Sequence, residues 1–269
     1  MLRVTTIASG SDGNCLLVSD GTTHILIDAG ISCKRICTGL TALGVDPMQL
    51  SAVLVTHEHS DHICGLATML KRLPFHIYTA PGTAQQLNYR LAILPERLHA
   101  VEPGEEFNIG SLSCRGFSTS HDAAQSMGYT IADPDGRMAL ATDLGYVSDS
   151  VYRAVLGCQL LVVESNHDVD WLRSGPYPYQ LQQRILGDRG HLCNEAGAEL
   201  AARAVEAGAH TIILAHLSRE NNTPARAYDV TFRRLVTLGI DPEQDVRLSV
   251  AAPAWSGETF AVGREKTPC

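Results

Sequence analysis

Residues 52–62 read Ala-Val-Leu-Val-Thr-His-Glu-His-Ser-Asp-His and carry the strongest pattern in this chain of 269 residues. The apolar residues 52–55 predict a short buried strand, and a helical pattern follows the polar residues as far as Leu73. Since His57 and His59 are two positions apart, their side chains would leave the same face at the end of that strand. Asp61 and His62 lie in the turn, where the backbone can direct them back. Four ligand-type side chains in six residues therefore predict a metal site.

The ligand types narrow the choice of metal. Imidazole and carboxylate together favour zinc, manganese, iron or nickel over calcium. A single histidine is most simply explained as part of a solvated polar loop, but this spacing between a strand and a helix is not. We expect divalent ions, with zinc or manganese first.

Composition sets broad limits on the protein. Hydrophobic residues make up 45% of the chain, which is typical of a globular protein, and one domain over 1–269 is expected because no linker or repeat interrupts it. No apolar run approaches the roughly 20 residues of a membrane span. Residues 1–7 alternate like a strand, and they lack the features of a signal peptide. The eight cysteines form no CxxC pair, so reduced thiols and a cytoplasmic location are expected.

The formal net charge of −8 argues against binding nucleic acid through overall positive charge. It does not exclude a nucleic-acid substrate, because two divalent ions would add about four positive charges where a phosphate would sit. No membrane partner is expected, and the sequence leaves a homodimer open.

Strand patterns dominate the first part of the chain, and strands alternate with helices in the second. The predicted strands are 3–8, 15–18, 24–27, 52–55, a strand starting at Pro74, several within 97–141, 160–163, 212–215 and 246–251. The predicted helices are 32–43, 149–156, 179–186, 194–207 with Asn194 as N-cap, and 225–237. Two packed sheets with helices outside is one architecture that fits this order.

The metal motif resembles that of the metallo-β-lactamase-fold hydrolases, and further matches follow in the expected order. They are Leu26-Ile27-Asp28-Ala29-Gly30, Ser120-His121-Asp122, Ala141-Thr142-Asp143-Leu144-Gly145 and Leu214-Ala215-His216-Leu217-Ser218. The resemblance covers about residues 1–251. It implies an α/β fold, a four-layer αββα sandwich, with the site at one edge of the two sheets.

The resemblance also implies a set of ligands for each of two metal ions. The first ion would bind His57, His59 and His121, the second would bind Asp61, His62 and His216, and Asp143 would bridge them. Asp28 would orient a ligand histidine or the loop rather than bind metal.

The bridging residue distinguishes branches of this fold. An Asp at 143, together with the pair Asp61-His62, resembles two-metal phosphodiesterases and thioesterases. True β-lactamases of this fold often have a Cys in that place and usually lack the full pair. Drug hydrolysis is therefore disfavoured.

Four more segments resemble the YycJ (WalJ) group, whose wider relatives are the tRNase Z-like and PhnP-like phosphodiesterases. They are Ser9-Gly10-Ser11-Asp12-Gly13-Asn14, Val163-Glu164-Ser165-Asn166-His167-Asp168, Gly190-His191-Leu192-Cys193-Asn194 and His216-Leu217-Ser218-Arg219-Glu220-Asn221-Asn222. This resemblance implies a metal-dependent nuclease that acts on DNA ends, exonuclease-like. The sequence assigns no role to His167.

Glu164 and His191 match the pair that helps to protonate the leaving group in tRNase Z-like enzymes. His191, held charged by Glu164, would be the general acid, and Asp61 would hold the attacking hydroxide by a hydrogen bond. The start of the helix at Asn194 would attract a phosphate. Further phosphates could be contacted by Arg184, Arg189 and Arg219, although solvated surface arginine is the simpler explanation for each.

Two alternatives remain at this point. A hydrolase of a small molecule, such as a cyclic phosphodiester, a thioester or a lactone, could use the same metal site. A non-catalytic binding module of this fold would tend to lose ligands, whereas all seven are present. No inserted stretch resembles the long arm with which tRNase Z grips tRNA, so tRNA processing is disfavoured.

Overall fold

A computed structural model describes residues 1–254 and 258–263. Its strands are β1 (Arg3–Ala8), β2 (Cys15–Ser19), β3 (His24–Ile27), β4 (Ala52–Leu54), β5 (His76–Thr79), β6 (Leu98–Ala100), β7 (Glu106–Ile109), β8 (Leu112–Ser118), β9 (Met127–Asp133), β10 (Gly136–Ala141), β11 (Leu160–Glu164), β12 (Thr211–Ala215), β13 (Arg247–Val250) and β14 (Phe260–Ala261). They form two seven-stranded sheets, in the orders β14-β1-β2-β3-β4-β5-β6 and β13-β12-β11-β10-β9-β8-β7.

Parallel pairing at the centre of each sheet determines where functional residues can meet. Strands β3 to β6 are mutually parallel in the first sheet, and β10 to β13 are mutually parallel in the second. Because the carboxyl ends of parallel strands reach one edge of a sheet, the loops after these strands are gathered at that edge.

Helices cover the outer faces of both sheets. They are α1 (Cys33–Ala42), α2 (Ser60–Ile63), α3 (Leu66–Leu70), α4 (Pro81–Leu91), α5 (Asp149–Val155), α6 (Val169–Ser174), α7 (Tyr179–Leu186), α8 (Asn194–Glu206) and α9 (Pro224–Thr237). Apolar side chains of the two sheets form one core between them, and each sheet forms another with its own helices. The predicted αββα sandwich is confirmed.

Three details of the helix prediction differ from the structure, and strand β14 was not predicted. The helix predicted as far as Leu73 is two short helices, and a Cβ at Gly65 between them would lie 2.2 Å from the carbonyl oxygen of Ile31. Helices α4 and α6 were not predicted. Asn194 is not the N-cap of α8, since Cys193 holds that position and the Asn194 side chain is fully buried.

One domain over 1–269 stays a prediction, and its residues 255–257 and 264–269 lie outside the described residues. Within the described ranges, no helix has the length and apolar character that crossing a membrane requires.

Candidate metal centre

The seven predicted ligands meet at the edge where the parallel strands of both sheets end. His57, His59, Asp61 and His62 follow β4, His121 follows β8, Asp143 follows β10, and His216 follows β12. The two sheets thus each supply ligands from rigid strand ends, which suits a preorganised site.

Three residues at the site have a strained backbone conformation. Asp28, Asp143 and His216 have φ values of 62°, 60° and 56°, in the left-handed region that residues other than glycine rarely adopt. Neighbouring groups hold them there: the N–H of Asp28 donates to the Leu54 carbonyl and the N–H of His216 donates to Ser9 Oγ, each at 2.8 Å. Such strain is typical of functional sites.

The predicted ligands form two triads, and the carboxylate of Asp143 lies near both. In the first triad, of His57, His59 and His121, the candidate ligand atoms all lie within 4.8 Å of one another. The second triad, of Asp61, His62 and His216, meets the same limit.

Asp143 lies between the triads. Its Oδ2 is 3.5 Å from His62 Nε2, and its Oδ1 is 3.5 Å from His216 Nδ1 and 3.9 Å from His121 Nε2. One carboxylate thus faces ligands of both triads, as a bridging residue would.

Unsatisfied polar atoms point to what the site binds. Among the described residues, His57 Nε2, His216 Nε2 and Asp143 Oδ2 are buried and have no hydrogen-bond partner. Each such atom costs about 1–3 kcal/mol when it is left without a partner. Because imidazole nitrogens and carboxylate oxygens are metal ligands, the donor set fits divalent metal binding.

The electrostatics of the site agree with this conclusion. Burial opposes charge on Asp143, but His216 and His62 outweigh it and hold the pKa of this carboxyl well below its usual range. Burial likewise opposes charge on His216, but Asp143, Asp61 and Glu164 raise its pKa to about 10. Carboxylates therefore dominate the field around His216, whereas burial lowers the pKa values of His57 and His121 and keeps these imidazoles neutral, the form that binds metal.

Asp28 contacts one of the predicted ligands directly. Its Oδ2 accepts a hydrogen bond from His62 Nδ1 at 2.7 Å, and its Oδ1 accepts one from the N–H of Thr56 at 2.8 Å. Since Nδ1 is engaged, His62 presents Nε2 toward Asp61 and Asp143. This is the contact expected for a carboxylate behind a ligand histidine.

Glu164 contacts more of the site than the sequence indicated. It is fully buried, and its Oε1 accepts from both His191 Nδ1 and His216 Nδ1 at 2.8 Å. Its Oε2 accepts the backbone N–H groups of Leu144 and Leu192 at 3.1 and 3.0 Å. Burial would raise its pKa, but His191 and then His216 lower it to about 2. The carboxylate therefore links His191 to a ligand of the second triad.

His191 faces a cavity of about 210 Å³, which is also lined by five of the predicted ligands, His59, Asp61, His121, Asp143 and His216. Arg184 lines it too and donates from Nε to Asp122 Oδ2 at 2.5 Å. Arg189 instead donates to the carbonyl oxygen of His121, and Arg219 lies outside this cavity.

The start of α8 does not reach this cavity, because no residue of α8 is among the described residues that line it. The Asn194 amide is instead buried against Ser165 and Asn222. The predicted phosphate contact at this helix is therefore not supported.

Two residues that contact the site were not predicted from the sequence as site residues. Asn14 Nδ2 lies 3.3 Å from His62 Nε2, and Glu58 is buried with Oε1 accepting the N–H of Ala124 at 2.8 Å. Both lie inside motifs from which the site was predicted, and this position is the signal that could have identified them. His167 is buried beside the site and contacts Asn166 at 3.4 Å.

Known proteins resemble this chain along most of its length. Residues 23–217 match the family described as a beta-lactamase superfamily domain. The exodeoxyribonuclease WalJ of Streptococcus pneumoniae serotype 2 is 35% identical over 250 residues, which are 92% of this chain and 93% of that protein. The exodeoxyribonuclease YycJ of Bacillus anthracis is 37% identical over 222 residues, 82% and 84% of the two chains. The predicted resemblance to the YycJ (WalJ) group is confirmed.

The structural comparison agrees on the fold. The metallo-beta-lactamase fold protein YhfI of Bacillus subtilis superposes with a TM-score of 0.70 at 18% identity, covering 96% of this chain and 98% of that one.

The contact between Asp28 and His62 gives a first prediction. Asp28→Asn should lower zinc affinity by about 10–100-fold, because the amide holds the His62 ring less firmly and lowers its basicity. Titration with a competing chelator measures this, and the exposed Asp149→Asn is the matched control. Equal affinities in the two variants would show that Asp28 does not tune the site.

Proposed function

The chain belongs to the β-lactamase superfamily, and we propose that it is a two-metal phosphodiesterase that acts as an exodeoxyribonuclease. The observation that carries the proposal is the pair of complete triads on either side of Asp143, with the Glu164–His191 pair beside them. The names of the WalJ and YycJ relatives, at 35% and 37% identity, favour DNA as the substrate.

In this proposal each triad holds one ion, zinc or manganese. His57, His59 and His121 hold the first, and Asp61, His62 and His216 hold the second, with Asp143 shared. Bound metal supplies a nucleophile from water near neutral pH and neutralises phosphate oxygens. The seven side chains fix the positions at which this chemistry occurs.

Asp61 and His191 move or hold protons in the proposed reaction. The Asp61 side chain is 25% exposed and lines the cavity, so it can accept a hydrogen bond from the attacking group. The His191 side chain is 20% exposed and faces the cavity, so it can deliver a proton to the leaving oxygen. Glu164 orients the ring by accepting from Nδ1, which leaves Nε2 for that transfer.

The accessibility of the site favours a large substrate. The side chains of His59 and Asp61 are 30% and 25% exposed, so the predicted ligands are reached directly from solvent. A polymer can present one phosphodiester here with the rest of the strand outside. The Arg184 side chain, 57% exposed at the cavity, pairs with Asp122, so its positive charge is largely compensated there.

We also propose a cytoplasmic location. The seven cysteines that the structure describes are all free thiols, which is typical of reducing compartments, and Cys269 lies outside the described residues. A homodimer stays a prediction.

The proposal predicts metal-dependent release of nucleotides from DNA ends. Purified protein supplied with Mn²⁺ or Zn²⁺ should degrade end-labelled DNA, and Asp61→Ala should slow this by at least about 100-fold. Asp149→Ala is the control. RNA and a cyclic phosphodiester, a thioester and a lactone are assayed in parallel. Turnover of one of these without DNA cleavage would replace the nuclease by that activity.

The role of His191 predicts a dependence on the leaving group. His191→Ala should retain metal and lose about 10²–10⁴-fold in rate on DNA, whose leaving alkoxide needs a proton. On bis(4-nitrophenyl) phosphate the loss should be small, because that leaving group departs without one. His76→Ala, an exposed histidine outside the site, is the control.

Glu164→Gln should show the same dependence of the rate on the leaving group. It should also bind metal more weakly, since Glu164 orients His216 as well. Equal slowing of both substrates by His191→Ala would contradict the general-acid role. Loss of metal from His191→Ala would place His191 among the ligands.

A further inference from the structure

A second cavity lies directly beside the metal centre. It measures about 490 Å³ and shares Ser11 and Ser218 with the cavity that His191 faces. The two cavities therefore adjoin, and a strand whose phosphodiester lies at the predicted ligands can extend past Ser11 and Ser218 into the second one.

The two cavities differ in chemistry. The metal cavity is lined mainly by charged and polar side chains, whereas much of the second cavity is lined by apolar ones. Its apolar residues are Ile31, Leu217, Pro224, Ala251 and Pro253. An apolar recess of this size beside a polar reacting centre matches the chemistry of a nucleoside, whose base has apolar faces and whose phosphate is charged.

The wall between the cavities is fixed to the metal ligands. This wall is the loop 9–14, in which the N–H of Asn14 donates to the Asp61 carbonyl at 2.8 Å and Ser9 Oγ accepts from the N–H of His216. A Cβ at Gly13 would lie 2.3 Å from the Gly30 carbonyl oxygen, so the loop packs as closely as its backbone allows. The second cavity is thus held in a defined position relative to the reacting phosphate.

Two arginines border the second cavity. Arg35 is exposed and donates to the Pro253 carbonyl at 3.3 Å. Arg219 is 78% exposed and lies 3.5 Å from Asp12, which is 80% exposed and also lines the cavity. Water screens an ion pair this exposed, so Arg219 remains available to a phosphate.

We propose that this cavity binds the base and sugar of the nucleotide adjoining the phosphodiester that is cut, with Arg219 and Arg35 contacting the next phosphate of the strand. The inference rests on the proposed function and names the part of the substrate that the protein grips. A base in this recess is separated from its neighbours, because the apolar walls take the place of the stacked bases.

The test compares nucleotides with the matching sugar phosphates as inhibitors of bis(4-nitrophenyl) phosphate hydrolysis by the metal-loaded protein. The pairs are deoxyadenosine 5′-monophosphate with 2-deoxyribose 5-phosphate, and the corresponding 3′ compounds. In at least one pair the nucleotide should inhibit at about tenfold lower concentration, because only it places a base against the apolar wall. Equal inhibition in both pairs would overturn the inference. Absence of metal-dependent hydrolysis would instead overturn the proposed function.

A substitution in the cavity tests whether the stronger inhibition by the nucleotide arises there. Ala251→Phe narrows the cavity at its apolar wall and should reduce the advantage of the nucleotide over the sugar phosphate; an unchanged advantage would overturn the inference. If this variant does not fold, the comparison in the unmodified protein still decides.

Arg219→Ala should raise the KM for an oligonucleotide about tenfold and reduce the salt dependence of kcat/KM. Arg233→Ala is the matched control, since Arg233 is 77% exposed, pairs with Asp229 at 2.8 Å and lies outside the cavity. Identical KM values in the two arginine variants would contradict the phosphate contact.

Discussion

Buried negative charge at the common edge of two sheets is the constraint on which this site depends. Asp28, Asp143 and Glu164 are each at most 2% exposed, and isolated carboxylates at such positions would be strongly unfavourable. Each is compensated by imidazoles, chiefly those of His62 and His216. His57 Nε2, His216 Nε2 and Asp143 Oδ2 remain without hydrogen-bond partners, and the clusters to which they belong fit divalent metal binding.

The fold concentrates this charge by aligning strand ends and by packing loops closely. Parallel strands in both sheets end at the same edge, and left-handed residues turn the chain there so that side chains point inward. Close packing then locks the loops, since a Cβ at Gly30 would overlap the Asp61 carbonyl. The same loops form the wall of the second cavity, so the position of the reacting phosphate and the proposed grip on the adjoining nucleotide have one structural origin.

Sequence patterns predicted the features that depend on residues close together in the chain. The ligands from His57 to His62 were predictable from their spacing, because one strand end places them all. His121, Asp143 and His216 form no local pattern, so their assignment needed the resemblance to a family. The contact of Glu164 with His216 joins residues 52 positions apart, which no local rule reaches. The cap at Asn194 was predicted wrongly because tertiary hydrogen bonds outweighed a local preference.

Anomalous diffraction from crystals grown with Mn²⁺ or Zn²⁺ locates bound metal without reference to activity. We expect two peaks, one among His57, His59 and His121 and the other among Asp61, His62 and His216, with Asp143 near both. A single peak, or a peak held by Glu164 and His191, would contradict this arrangement.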